Sequence, residues 1–201
     1  MAIKPILFNT EMVRAILDGR KTCTRRIVKF TPSFFEVNEK PVYLYDTEPS
    51  MGKIYPPCQP GDILYVRETW DCYPEYEDEN APAIYYYKAD GDLRPEGYRE
   101  ICKGWLPSIH MPKKAARIWL KVADVHVERL QKITADGIRN EGLPSMAVHV
   151  GDMDVALKEW ETLWNSTIKK SDLDRYGWEA NPYVFVIEFV KIDKPEEIQN
   201  A

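Results

Sequence analysis

The chain has 201 residues, a net charge of −5 at neutral pH, and 44% apolar residues. This length fits one domain with insertions, and it is sufficient to bury a core without crosslinks. The apolar content excludes a globally disordered chain, and the acidic balance excludes a protein that coats nucleic acid through bulk positive charge.

The four cysteines form no C-x-x-C pair and the three histidines are scattered along the chain. The sequence therefore predicts no metal site and no cofactor. It shows neither an N-terminal secretory signal nor an apolar run of membrane-spanning length, so we expect a cytoplasmic protein with free thiols and no membrane contact.

Positive charge is concentrated in two stretches of this acidic chain. Residues 14–29 hold six basic residues and one acidic residue, and residues 101–123 hold five basic residues and no acidic one. Such local concentrations favour a site for an anionic or nucleotide-like ligand, although solvated surface is the alternative.

The first predicted elements are a short strand over Ile3–Phe8 and a helix over Glu11–Leu17, whose apolar residues recur at helical spacing. The pair Asp18-Gly19 ends this helix, because glycine adopts the left-handed conformation at low cost. The basic segment Gly19–Arg26 follows directly, and a helix-to-strand junction is a place where side chains often serve a site.

The middle of the chain is predicted to be mainly β-structure. Residues 31–60 are rich in turn formers and are interpreted as a hairpin or loop excursion, and a strand is expected over Ile63–Trp70. A long strand over Ala116–Leu130 changes its apolar parity, which predicts a β-bulge near Ala123-Asp124.

Three elements are predicted in the C-terminal part. Thr134 begins a short helix that carries Glu141 near its end, a longer helix covers Met153–Ile168, and Tyr183–Val190 is a strand buried on both faces. These elements indicate an α+β fold: a small mixed β-barrel with short helices at its openings. We expect a single domain over residues 1–192 with insertions at about 31–60, 71–104 and 144–175, and a frayed tail over 193–201.

Four segments in order resemble the ASCH (activating-signal-cointegrator homology) domain family, in particular its longer phage- and prophage-borne members. These segments are Gly19–Arg26, Gly61–Trp70, Ile109–Pro112 and Asn181–Phe189. The resemblance implies a PUA-like β-barrel and a partner that is either a modified nucleoside or single-stranded RNA.

A small bacterial member of this family is an N4-acetylcytidine amidohydrolase that uses a lysine, a threonine and a glutamate. Its Gly-Arg-Lys-Thr-x-Thr motif corresponds to Gly19–Thr24, which implies catalytic roles for Lys21 and Thr24. Its glutamate corresponds to Glu141 if Ile133-Thr134 marks the same helix start. The three side chains are then expected to converge, and Lys21 is expected to be a surface lysine whose removal leaves the fold intact.

Amide hydrolysis needs a nucleophile, a base and a proton donor for the leaving group. Thr24 supplies a hydroxyl, Lys21 acts as a base only in its neutral form, and Glu141 relays a proton to the leaving nitrogen. Residues three apart face opposite sides of a regular strand, so Lys21 and Thr24 converge only if the segment still turns at Lys21. The alternative is a basic anchor followed by an ordinary strand threonine.

Further binding candidates are cations, aromatic residues and polar groups in the motifs or in the second basic stretch. They are Arg20, Arg25, Arg26, Arg67, Glu68, Trp70, His110, Lys113 and Lys114. For Arg67 and Glu68 a structural ion pair is the alternative, for Trp70 a core position, and for His110 a capped loop. Cys23 is interpreted as a small buried residue rather than a nucleophile. A non-catalytic RNA-binding module and a ribonuclease that uses the same cleft stay open as alternative functions.

Overall fold

The structure is a computed structural model that describes residues 1–29, 35–39, 42–46, 52–73, 83–101 and 104–196. These residues form an α+β fold with ten strands and six α-helices. The strands are β1 (Ile3–Leu7), β2 (Cys23–Ile27), β3 (Phe35–Glu39), β4 (Val42–Asp46), β5 (Lys53–Ile54), β6 (Ile63–Arg67), β7 (Trp70–Tyr73), β8 (Ile84–Tyr87), β9 (Trp119–Arg129) and β10 (Tyr183–Ile192). The helices are α1 (Thr10–Leu17), α2 (Glu96–Ile101), α3 (Ala135–Asn140), α4 (Met146–Val150), α5 (Met153–Ser166) and α6 (Leu173–Tyr176).

The main sheet has five strands in the order β1-β6-β9-β10-β2. Strands β1 and β6 are parallel, and the other neighbours in this sheet are antiparallel. The predicted insertion at 31–60 contains a small sheet of β3, β4 and β5, and the insertion at 71–104 contains most of the two-stranded sheet of β7 and β8. Helices α4 and α5 lie in the insertion at 144–175, and α6 begins in it and ends one residue beyond.

The predicted bulge in the long strand is present at Ala123. Residue Glu188 of β10 pairs with Asp124 of β9, whereas Phe189 pairs with Val122, so Ala123 is the extra residue. The bulge shifts the alternation by one residue, and this shift is why Val122 and Val125 both reach the same hydrophobic core.

Strands β1 and β2 are the two edges of the main sheet, and no pairing between them occurs in the described part of the chain. The α+β class is therefore confirmed, whereas a closed barrel is not detected. Helix α1 connects the two edge strands, and the Arg26 side chain donates a hydrogen bond to the Leu7 carbonyl across the gap. We call this gap the β1–β2 seam.

The strand predicted over Ile63–Trp70 is wrong in its last three residues. Strand β6 ends at Arg67, and Trp70 begins β7, which pairs with β8 in a separate sheet. The backbone N–H of Glu68 donates to the Met111 sulfur instead of continuing the ladder. The alternating pattern did not reveal this break, because the residues before it in β6 and those after it in β7 both pack into hydrophobic clusters.

Two hydrophobic clusters lie on opposite faces of the main sheet. One contains Val28, Leu120 and Ile187 with Val13 and Ile16 of α1, and the other packs strand residues such as Val184 against α3 and α5. A third cluster surrounds Trp119. Within the described residues no helix is both long and apolar enough to cross a membrane.

Two expectations fall mainly outside the described residues. The acidic segment after Trp70 is described only up to Tyr73, where it forms β7, and the tail is described only up to Glu196.

Gly142 follows α3 with φ of +82°, and a Cβ added there would lie 2.7 Å from the Ala15 Cβ and 2.8 Å from the Lys21 Cβ. Gly151 follows α4 with φ of +80°, and a Cβ there meets nothing within 4 Å. We expect Gly151→Ala to lower the unfolding free energy by about 1–2 kcal/mol, because the only penalty is that of a residue with a Cβ in the left-handed conformation.

Gly142→Ala should lower the unfolding free energy by about 1–3 kcal/mol more than Gly151→Ala does. The added methyl group would also collide with the side chains of Ala15 in α1 and of Lys21. Urea denaturation of the two variants measures the difference. Equal losses would show that α3 does not pack closely on α1.

Candidate functional site

Lys21 lies in a turn between α1 and β2. Gly19 has φ of +74°, and the backbone N–H groups of Arg20 and Lys21 both donate to the Ala15 carbonyl, at 2.8 and 2.9 Å. Strand β2 begins only at Cys23. The condition that the segment still turns at Lys21 is therefore met.

Glu141 is presented by the end of a short capped helix. The Thr134 hydroxyl caps α3 by accepting from the Gly137 N–H, and Glu141 is the C-terminal cap residue. The backbones of Lys21 and Glu141 form an isolated antiparallel bridge. This bridge joins two residues that are 120 positions apart in the sequence.

The Lys21 and Glu141 side chains form a buried ion pair. The Lys21 Nζ donates to Glu141 Oε2 at 2.6 Å and to the Glu141 carbonyl at 3.0 Å. The two side chains are 0% and 4% exposed. The expectation that Lys21 is a surface lysine is wrong, because the turn places its ammonium group beneath Glu141 and 5.5 Å from the Phe8 ring centre.

Arg25 extends this pair into a network. Its Nη1 donates to Glu141 Oε1 at 3.2 Å, while its Nε and Nη2 donate to Glu128 Oε1 at 2.9 and 2.8 Å. Two cations thus face two carboxylates with little access to water. We call Lys21, Arg25, Glu128 and Glu141 the ion-pair network.

Thr24 is 2% exposed and lines a small cavity of about 60 Å³ together with Glu141. Arg25 and Arg26 of β2, Met12 of α1 and residues of α5 complete the wall. A cavity of this volume has room for a few water molecules or for a small acyl group. Glu141 thus shares the cavity wall with Thr24 and an ion pair with Lys21, and the catalytic roles of the three residues stay predictions.

A larger apolar cleft of about 660 Å³ opens at the β1–β2 seam. Its walls include flat side chains of Pro5, Tyr55 and Phe185, and the cations Arg26 and Lys29 also line it. Its volume is in the range of ligand pockets in general.

Arg26 lies between the small cavity and the apolar cleft and lines both. Its side chain is half-buried, donates to the Leu7 carbonyl at 3.1 Å and lies 5.4 Å from the centre of the Phe8 ring. No carboxylate among the described residues forms an ion pair with it, so its charge is available to a ligand.

The thiol of Cys23 is a poor nucleophile in this environment. Burial, with a further contribution from the Glu141 carboxylate, raises its pKa to about 12. The thiolate is therefore scarce at neutral pH, as expected from the sequence. In the described part of the chain, no group of three His, Cys, Asp or Glu side chains could hold a metal ion.

The remaining sequence candidates do not join the ion-pair network. Arg20 donates to the Gly142 carbonyl and to Asp18, while Arg67 donates to the Ile109 carbonyl. Glu68 is 1% exposed and forms a two-pronged ion pair with Arg117. This is the structural ion pair given above as the alternative to a binding role for Glu68. Trp70 is a core residue in the cluster around Trp119, and the side chains of His110, Lys113 and Lys114 are exposed on short 3₁₀ turns.

Sequence reasoning missed Glu128, which neutralises Arg25, and the α5 residues that close the small cavity. Glu128 had a detectable signal: it is an acidic residue within a strand whose neighbours are mostly apolar. The contribution of α5 had no such signal, because an apolar helical stripe predicts core packing alone.

No family model matches the sequence, and no curated protein matches it. Among solved structures, a weak match is protein EF3133 from Enterococcus faecalis, described as a DUF984 protein. The TM-score is 0.38 at 10% sequence identity, and the match covers 98% of this chain and 83% of that protein.

The coupling within the ion-pair network can be measured by a double-mutant cycle. We expect Lys21→Met and Glu141→Gln each to lower the unfolding free energy by about 3 kcal/mol or more, since each leaves a buried charge with fewer partners. The double variant should lose about 1–3 kcal/mol less than the sum of the single losses. Urea denaturation of the four proteins gives the coupling energy.

The exposed pair Lys158 and Glu161 serves as the control, with nitrogen and oxygen 3.2 Å apart. Its cycle, with Lys158→Met and Glu161→Gln, should give a coupling of no more than about 0.5 kcal/mol. Additive losses at Lys21 and Glu141 would contradict a buried, mutually dependent pair.

Proposed function

We propose that this protein is an amidohydrolase that removes the acyl group from an N4-acylated cytosine nucleoside, with N4-acetylcytidine as the reference substrate. The observation that carries the proposal is the buried Lys21–Glu141 pair beside the cavity that Thr24 lines. The resemblance to the ASCH family supplies the reaction type, and the geometry supports it.

The position of the ion-pair network supports a functional role. Removing charges from water costs several kcal/mol per ion, and apolar residues of similar volume are often as stable or more stable. Here Arg25 and Glu141 of the ion-pair network line a cavity, and Lys21 and Glu128 hold them in place by ion pairs. Buried charged groups that border a cavity are candidates for chemistry.

Each residue of the proposed triad has one task. The Thr24 oxygen attacks the acyl carbon, and its proton passes to the Lys21 amine. This amine is neutral once its own proton has crossed the 2.6 Å hydrogen bond to Glu141. The Glu141 carboxyl then protonates the leaving N4 nitrogen, which releases the cytidine and leaves the acyl group on Thr24. Water hydrolyses that ester, restores the Thr24 hydroxyl and releases the carboxylic acid.

The two cavities suit the two parts of such a substrate. A planar base fits the apolar cleft between flat side chains such as Tyr55 and Phe185, and a small acyl group fits the 60 Å³ cavity beyond Arg26. We further propose that the main sheet is the PUA-like barrel of the ASCH family, with the β1–β2 seam serving as the substrate entrance.

The test is turnover of N4-acetylcytidine to cytidine and acetate, followed by chromatography. Thr24→Val should lower kcat/KM at least about 100-fold, because it keeps the shape of the side chain and removes the hydroxyl. Thr22→Val is the matched control, since Thr22 belongs to the same motif but is exposed. It should leave kcat/KM within about twofold of the wild type.

Lys21→Met and Glu141→Gln should abolish turnover at a temperature at which both variants remain folded, as checked by circular dichroism. Equal activity of Thr22→Val and Thr24→Val would contradict the assigned nucleophile. Absence of turnover in the wild-type protein would overturn the hydrolase, and shortening of single-stranded RNA in the same incubation would replace it with a ribonuclease.

A further inference from the structure

A third cavity lies at the end of β2, outside the proposed catalytic site. It is an open groove of about 390 Å³ whose lining contains three cations, Lys29, Arg129 and Arg175, and no acidic residue. The same groove is lined by Tyr176 and Tyr183. We call it the cationic groove.

The groove is assembled from distant parts of the chain by specific contacts. The Tyr176 hydroxyl donates to the Lys29 carbonyl at 2.8 Å, which brings α6 to the end of β2. Arg129 donates to the Asn181 carbonyl at 3.0 Å, and its guanidinium carbon lies 3.8 Å from the centre of the Tyr183 ring. These contacts hold Arg129 in place while leaving part of its donor fork unused.

Among the described residues, the three cations have no acidic partner. No carboxylate of the described residues forms an ion pair with any of them, although Asp174 and Glu179 are close in sequence to Arg175. Most other arginines described above, such as Arg25 and Arg117, are paired with carboxylates. In a chain of net charge −5, an acid-free group of cations favours the binding of an anion.

The three cavities follow one another along residues 24–29, which run through β2 and two residues beyond it. The small cavity is lined by Thr24–Arg26, the apolar cleft by Arg26, Ile27 and Lys29, and the cationic groove by Val28 and Lys29. Lys29 belongs to both the cleft and the groove. A ligand whose base lies in the cleft therefore has its adjoining anionic group in the groove.

We propose that the cationic groove binds the phosphate of a nucleotide whose base occupies the apolar cleft. This inference rests on the proposed function for the position of the base, and it makes the substrate a phosphorylated nucleoside instead of a free one. The phosphate belongs either to a nucleoside monophosphate or to a single-stranded RNA chain, and the chemistry of recognition is the same. Arginine suits this task because its planar fork matches phosphate oxygens.

The experiment compares the binding of cytidine, cytidine 5′-monophosphate, a short cytidine-containing single-stranded RNA and inorganic phosphate by titration calorimetry. We expect the monophosphate or the RNA to bind at least about tenfold more tightly than cytidine at low salt, since each charge-assisted contact contributes more than a neutral one. If the monophosphate and the RNA both bind more tightly than cytidine, a single phosphate is sufficient for recognition. If only the RNA binds more tightly, the ligand is a single-stranded RNA. Inorganic phosphate should bind much more weakly than either, because it leaves the cleft empty.

The variant Arg129→Gln/Arg175→Gln should abolish the phosphate advantage and leave cytidine binding unchanged. With RNA it should also reduce the dependence of log K on log salt by about 1.4, which is about 0.7 for each lost contact. The matched control is Lys121→Gln/Lys191→Gln, which removes two exposed cations at the opposite end of β9 and β10. It should retain the wild-type advantage and slope.

Arg175→Gln alone provides a variant that tests the groove without risk to the fold, because Arg175 is exposed. Equal affinity for cytidine and its monophosphate, or equal weakening by the groove and control variants, would overturn the inference. Turnover of N4-acetylcytidine without any phosphate preference would overturn this inference alone. Phosphate-dependent binding without turnover would overturn the proposed hydrolase alone.

Discussion

The buried pair between Lys21 and Glu141 is the interaction on which the site depends. It joins the turn after α1 to the end of α3 across 120 residues, with nitrogen and oxygen 2.6 Å apart. The carboxylate of Glu141 also accepts a hydrogen bond from Arg25. This one side chain therefore holds both the turn before β2, through Lys21, and the middle of β2, through Arg25. A charge pair at this depth is costly unless each charge keeps its partners. Gly142 makes the approach possible, since any Cβ there would strike the Lys21 side chain.

The second constraint is the unpaired edge of β2. In the part of the chain that the structure describes, β1 and β2 bound the main sheet without pairing to each other, and the seam between them leaves room for an apolar cleft. Successive residues of β2 line the small cavity and the cleft, and the two residues after the strand, Val28 and Lys29, line the cationic groove. The small cavity, the apolar cleft and the cationic groove therefore follow one another along one segment of the chain. This order suits the proposed ligand, which has an acyl group, a base and a phosphate.

Local patterns predicted much of the fold from the sequence. The change of apolar parity in β9 located the bulge at Ala123, and the capping residue Thr134 located α3. The break after Arg67 could not be predicted, because the alternation continues through it and the choice of partner strand is tertiary. The burial of Lys21 was hidden for a related reason: its partner Glu141 is distant in sequence, and the motif alone looks like exposed basic surface. The free cations of the groove were equally hidden, since Lys29, Arg129 and Arg175 belong to three separate segments.

The most direct test of the central proposal is a crystal structure of the Thr24→Val variant with N4-acetylcytidine, which this variant should bind without turnover. The account predicts the acetyl group in the 60 Å³ cavity beside residue 24 and Glu141, and the base in the apolar cleft next to Arg26. The leaving nitrogen should lie within about 3.2 Å of Lys21 or Glu141, directly or through one water molecule. A nucleoside bound elsewhere, or an acetyl group that points away from this cavity, would contradict the account.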